Sequence, residues 1–246
     1  MSLSIEHLQR TYGAFTAVED LSFTVAGGEI VGLIGPNGAG KTTTLRTLAG
    51  ILRPTAGIVR IDDFDLVAAP LEAKRRLAFM PDEPHLFDYL TVQEHLRLVG
   101  RLYGVEDFDR RARALLDELE LAGKERALPG ELSRGMRQKV VIACGLLRDA
   151  TALLFDEPLT GLDPIGIRRM RDTIVARGRA GAAILVSSHL LHLVEEICTR
   201  VLIMNHGRSV AFGTIAEIVA SRPELIGRRL EDVFLELITP DGEVRE

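Results

Sequence analysis

The sequence predicts an α/β fold: a parallel sheet at the core, an N-terminal antiparallel β-subdomain and an inserted helical subdomain. Three observations predict it. The short apolar run Ile30 to Ile34 passes through a glycine-rich loop into a helical stretch from Lys41 to Leu48, the strand, loop, helix order of an α/β nucleotide fold. Before that run, apolar residues alternate with period two, and from Thr91 to Leu121 they take helical spacing. Beyond, apolar runs and helices alternate, as a parallel sheet requires.

The elements follow in order. Leu3 and Ile5, then Leu21, Phe23 and Val25 before the turn Gly27-Gly28, read as strands of an antiparallel sheet. Gly57 to Ile61 and Leu77 to Met80 read as further strands. Val92, Leu96, Val99 and Leu102 share one helical face, and Phe108, Ala112, Leu115 and Leu119 another; a third helix follows Leu132 and runs to Leu147. Buried strands return at Ala152 to Phe155 and Ala183 to Val186, separated by a helix after Pro164. Val201 to Met204 and Ser209 to Phe212 flank Asn205-His206-Gly207, a hairpin signal, and Leu230 to Leu237 reads as a helix. One domain is expected over residues 1–246, with the core and β-subdomain in 1–86 and 150–213, the helical subdomain in 87–149 and a short helical tail in 214–246.

The chain has 246 residues, 46% hydrophobic and 26% charged, enough apolar material for a substantial core. Its net charge of -5 gives no support to a sequence-independent grip on nucleic acid or anionic lipid. Arg168, Arg169, Arg171, Arg177 and Arg179 read as a solvated helix face. Cys144 and Cys198 lack the paired spacing of a zinc or redox site and read as small core residues. The first residues lack the apolar stretch of a secretory signal, and no apolar run approaches the roughly 20 residues needed to cross a bilayer. A cytoplasmic chain is expected, held at a membrane only through another subunit.

Gly35-Pro36-Asn37-Gly38-Ala39-Gly40-Lys41-Thr42 matches the phosphate-loop pattern in full, after a strand and before a helix. Its glycines let backbone N–H groups turn inward around phosphate oxygens, and the helix dipole favours the anion. Lys41 neutralises the β- and γ-phosphates, the Thr42 hydroxyl ligates Mg²⁺ and Thr43 is the next donor along. The core is therefore expected to be that of a P-loop nucleoside triphosphatase. Such chemistry needs a carboxylate at the end of a neighbouring strand, and Leu153-Leu154-Phe155-Asp156-Glu157 supplies it. Asp156 ends a buried apolar run, where a charge needs a metal or a partner. Glu157 is placed to act as the base that orients or deprotonates the attacking water.

Leu132-Ser133-Arg134-Gly135-Met136 opens a helix before Asp156, Leu162-Asp163 follows the acidic pair, and His189 ends the next strand. With the phosphate loop, these residues resemble the ATP-binding cassette family over nearly the whole chain. The resemblance implies that Ser133, Arg134 and Gly135 form a signature motif acting on the ATP of a second cassette. It also implies that Asp163 belongs to the D-loop, that His189 contacts the γ-phosphate and that Tyr12 stacks on adenine. Ser133 also suits a helix N-cap.

The chain departs from the family pattern in two places. Where the family usually has a glutamine after the Leu77 to Met80 strand, Asp82 stands in Pro81-Asp82-Glu83-Pro84 and is carried forward as a third candidate Mg²⁺ ligand with Thr42 and Asp156. In the signature, Arg134 and Met136 replace the common glycine and glutamine, so that Arg134 either assists a phosphate site or faces solvent.

By the same resemblance, two ATP molecules are clamped between two cassettes, identical or different, and the switch passes to a separate membrane permease. The tail Leu230 to Leu237, Pro81 to Pro84 and the Leu132 to Lys139 run are similar to drug- and polysaccharide-type exporter cassettes. ATP with Mg²⁺, a permease and a second cassette are the expected cofactors and partners, with no nucleic acid. The alternatives are a soluble cassette acting on ribosomes or DNA and a nucleotide-sensing cassette without transport.

Overall fold

The computed structural model describes residues 2–220 and 225–239. The first half runs β1 (Ser2–Tyr12), β2 (Phe15–Ala26), β3 (Ile30–Ile34), α1 (Lys41–Leu48), β4 (Ala56–Ile61), β5 (Phe64–Asp65), α2 (Pro70–Arg76) and β6 (Leu77–Met80). Next come α3 (Val92–Tyr103), α4 (Phe108–Glu118), α5 (Arg134–Leu146), β7 (Ala152–Asp156), α6 (Pro164–Arg179) and β8 (Ala183–Ser187). The last are α7 (Leu191–Ile197), β9 (Arg200–Asn205), β10 (Arg208–Gly213), α8 (Ile215–Ala220) and α9 (Leu230–Ile238).

The strands form two sheets. One is antiparallel, in the order β2-β1-β4-β5, and the other runs β10-β9-β3-β8-β7-β6. In the second, β6, β7, β8, β3 and β9 are parallel, and only the edge strand β10 is antiparallel, through the hairpin at Asn205-His206-Gly207. The sheet is thus mixed at one edge rather than purely parallel. Strands β3, β7 and β8 are buried at every position, as expected for strands covered on both faces.

One face of the larger sheet meets the antiparallel sheet and α1: Val31, Leu33 and Leu202 pack with Leu3, Ile5, Leu45 and Leu48. The opposite face packs on α3 to α6, where Phe155 and Val186 meet Leu96, Leu115, Ile142 and Met170. A third cluster ties Ile34 and Ile203 to Val219, Leu230 and Val233 of the C-terminal helices. The expected tail 214–246 lies partly outside the described residues.

The helical stretch 91–121 is two helices, and α3 starts at a capping box in which Thr91 Oγ1 accepts from the Glu94 N–H and Glu94 accepts from the Thr91 N–H. Those bonds from Thr91 hold the Glu94 carboxyl below its ordinary pKa. Helix α2 was not expected; its only buried residue is Ala73, so it carries no apolar stripe to read. The arginines of α6 behave as a solvated face whose charges meet acids: Arg169 pairs with Glu120, Arg171 with Glu196 and Arg177 with Glu118. Burial pushes the Cys144 and Cys198 thiols up to about 12, in keeping with core positions.

Replacing Thr91 by Ala removes the α3 cap. Urea unfolding of Thr91→Ala should show a loss of about 1 kcal/mol with an unchanged m-value.

Candidate active site

Open parallel sheets bind ligands beyond the carboxyl ends of their strands. Here the register sets Ser187 opposite both Leu33 and Asp156, and Met80 opposite Phe155. The loops after β3, β6, β7 and β8 therefore leave the sheet at one edge. They carry the phosphate loop, Asp82, Glu157 and His189 respectively.

Gly35 to Gly40 turn from β3 into α1. Pro36 and Gly35 are half-buried, Asn37 and Gly38 are exposed, and Ala39 is buried and donates its N–H to the Pro36 carbonyl. Gly40, at the N-cap of α1, has φ 99, a left-handed conformation that glycine adopts without strain. No side chain caps this helix, so its first N–H groups suit an anion, and Thr42 and Thr43 stand in its first turn. The Lys41 ammonium donates to the Gly35 and Pro36 carbonyls at 2.6 and 3.1 Å. Burial lowers its pKa, while Glu157 and Asp156 work the other way.

Asp156 is only 3% exposed. Burial raises its pKa; the Ser187 and Thr42 hydroxyls and Arg46 oppose that, and the charge of Asp82 adds to it. Ser187 Oγ donates to Asp156 Oδ1 at 2.7 Å and accepts from the Glu157 N–H at 2.9 Å, fixing the two acids to each other and to β8. Glu157 itself has φ 48, a left-handed backbone unusual for a non-glycine residue. Its Oε2 lies 2.8 Å from His189 Nδ1 and accepts from the His189 N–H. Sequence reasoning missed Ser187: a serine at a strand end is commonplace, and its only signal is its place two residues before His189.

The remaining candidates form a neighbouring group. Ser133 caps α5, accepting from the Met136 N–H at 3.2 Å. A Cβ on Gly135 would lie 2.8 Å from the Gly161 carbonyl, so the signature backbone packs directly on the loop that follows Glu157. Asp163 caps α6 through Gly166 N–H at 2.6 Å. The Arg134 side chain is 55% exposed, and its Nη2 is 3.3 Å from Asp82 Oδ1. Gln138, buried, donates to the Pro81 carbonyl at 2.8 Å and fastens the same loop to α5. Tyr12 ends β1 with its ring 4.4 Å from the Arg10 guanidinium. The structure thus brings Lys41, Thr42, Asp156, Glu157 and His189 together. Asp82 lies between that group and Arg134, and Tyr12 stands on the other sheet.

No group of three or more His, Cys, Asp or Glu side chains forms a metal cage among the described residues. Asp156 with the Thr42 hydroxyl beside it fits Mg²⁺, which is commonly held by one or two carboxylates together with substrate phosphates.

The model of the "ABC transporter" family matches residues 18–160. The chain is 33% identical over 245 residues to the ABC-type transporter ATP-binding protein EcsA of Bacillus subtilis (strain 168), covering 98% of each chain. It is 36% identical over 235 residues to the Nod factor export ATP-binding protein I of Paraburkholderia xenovorans (strain LB400), covering 95% of this chain and 76% of that one. A solved structure described as the ATP binding subunit of an ABC transporter superposes with a TM-score of 0.92 at 36% identity, covering 96% of this chain and 99% of that chain.

Because the native pKa of Asp156 is raised above its ordinary 3.8, the folded chain holds that proton more tightly than the unfolded one. Native stability is therefore lost as pH rises from 3.8 through the native value, and the penalty is complete above it. Asp156→Asn should unfold at a higher temperature than the parent at pH 8 without nucleotide, with the gap closing toward pH 4, while ATP turnover is abolished. Calorimetry at the two pH values and a phosphate-release assay check this.

Proposed function

The chain belongs to the ABC transporter ATP-binding family and is an ATPase, and from that premise we propose that it powers export of a substrate through a separate membrane permease. The observation that carries the chemistry is the join of Glu157 to His189 and, through Ser187, to Asp156, at the sheet edge where the phosphate loop ends. In this reading the N–H groups from Gly38 to Thr43 and the Lys41 ammonium hold the triphosphate. Lys41 exchanges its two carbonyl partners for phosphate oxygens. Thr42 and Asp156 hold Mg²⁺, which supplies charge neutralisation on the phosphates.

Glu157 accepts a proton from the attacking water, and His189 holds the Glu157 carboxylate in place and faces the γ-phosphate. Tyr12 stacks on adenine. Ser133 and Gly135 act on the ATP of a second cassette, with Asp163 at the same interface, so the full site needs two chains.

No helix among the described residues is long and apolar enough to cross a membrane; in this reading the permease is another chain. The site suited to receive it is a groove of about 380 Å³ between α3, α5 and the sheet, lined by Ile51, Leu86, Phe87, Leu98 and Tyr103. Phe87 and, beside it, Tyr89 are 63% and 93% exposed, a placement that suits them to contact with a partner. Export is supported by the name of the Nod factor export relative. In this arrangement the chain is peripheral on the inner face of the cell membrane.

Glu157→Gln removes the base while leaving the fold and the phosphate loop intact. Turnover should fall about 100-fold or more, and ATP should drive the variant into dimers detectable by sedimentation velocity. A variant that binds ATP and stays monomeric at saturation counts against the two-chain site. Phe87→Asp should abolish co-purification with the permease and leave the turnover of the isolated chain within about twofold.

A further inference from the structure

Asp82 and Arg134 serve different nucleotides under the two-chain reading. Asp82 follows β6 and acts on Asp156, in the site of its own phosphate loop. Arg134 follows Ser133, whose site belongs to the partner's nucleotide. Within one chain the two are paired, Nη2 to Oδ1, at 3.3 Å.

We propose that this ion pair is an exchangeable clasp that couples the two nucleotide sites of the dimer, and the inference rests on the two-chain reading above. Three features of the structure make the clasp workable. First, the pair is weak: the Asp82 and Arg134 side chains are 44% and 55% exposed, and an exposed pair shifts an equilibrium by about fivefold at most. A phosphate offers Arg134 a stronger, charge-assisted partner. Second, the surroundings are fixed. Gln138 holds the backbone before Asp82, and the Arg134 stem passes Gly161, with Cδ 3.6 Å from where a Cβ on that glycine would stand. Only the two side-chain ends are left to move. Third, the adjacent cation is already engaged: Arg137 donates to the Pro129 and Leu132 carbonyls and does not stand ready to replace Arg134 in the pair.

The coupling then has a definite direction. Nucleotide carrying Mg²⁺ at the chain's own phosphate loop would draw Asp82 out of the clasp and release Arg134 toward the partner's nucleotide. Capture of Arg134 there leaves Asp82 free to turn to its own site. Each event favours the other by the same factor, as linkage requires.

The test measures the ATP concentration for half-maximal dimerisation, by sedimentation at low ionic strength, in the hydrolysis-deficient Glu157→Gln chain. It compares that chain with versions also carrying Asp82→Asn, Arg134→Gln, or both. Asp82→Asn should lower the concentration about threefold by releasing Arg134, and Arg134→Gln should raise it about threefold or more. In the Arg134→Gln background, Asp82→Asn should no longer lower the concentration. The Asp82→Asn shift should also shrink at 0.5 M salt, where screening removes the clasp. Equal Asp82→Asn shifts in both Arg134 backgrounds, or a shift to higher ATP, would overturn the clasp and leave the two-chain site standing. If the Glu157→Gln chain itself stays monomeric at saturating ATP, the two-chain reading fails and the clasp fails with it.

Discussion

Asp156 is a carboxylate at the end of a strand whose other residues are all buried and apolar, and burial disfavours its charge. What surrounds it offsets that cost. The β7–β8 register places Ser187 opposite, and the same hydroxyl that donates to Asp156 receives the Glu157 N–H. A short parallel sheet thereby fixes two acids, and through Glu157 a histidine, with a single serine. Burial of a charge is acceptable here because the site is built to receive cations, and the fold gives up some stability to keep it ready.

The helical subdomain is fastened to this core by polar links rather than by apolar packing alone. Glu118 of α4 accepts from Thr173 and Arg177 of α6, and Glu120 takes both Lys139 and Arg169. Gln138 reaches across to the loop after β6. Links of this kind fix direction and register while remaining exchangeable, which suits the place between nucleotide and permease that the proposed function gives this subdomain.

Much of this was legible in the sequence because it depends on periodicity and on short-range chemistry. The phosphate loop lies between a strand and a helix whose bounds, Ile30–Ile34 and Lys41–Leu48, are those expected. Asp156 and Glu157 were marked by the apolar run before them. Ser187 was not marked, because its role comes from a strand neighbour 31 residues away. The Arg134 to Asp82 pair was hidden for the same reason, its members standing 52 residues apart. The sequence left Arg134 open between phosphate and solvent, and the structure adds a carboxylate partner to a side chain that stays 55% exposed. Helix α2 was missed because Ala73 is its only buried residue, and α7 because seven residues are too few for its buried Leu193, Val194 and Ile197 to establish a period.

The left-handed backbone at Glu157 has an evolutionary consequence. Holding a glutamate there costs about 1–3 kcal/mol that glycine would not incur and asparagine would incur less. The substitutions that would relax the loop are thus among those that delete the proposed base. Loss of hydrolysis at this position runs downhill in folding free energy, so drift toward a sturdier loop would silence the enzyme. Screens that select this chain for heat resistance alone should be expected to collect inactive variants at this position.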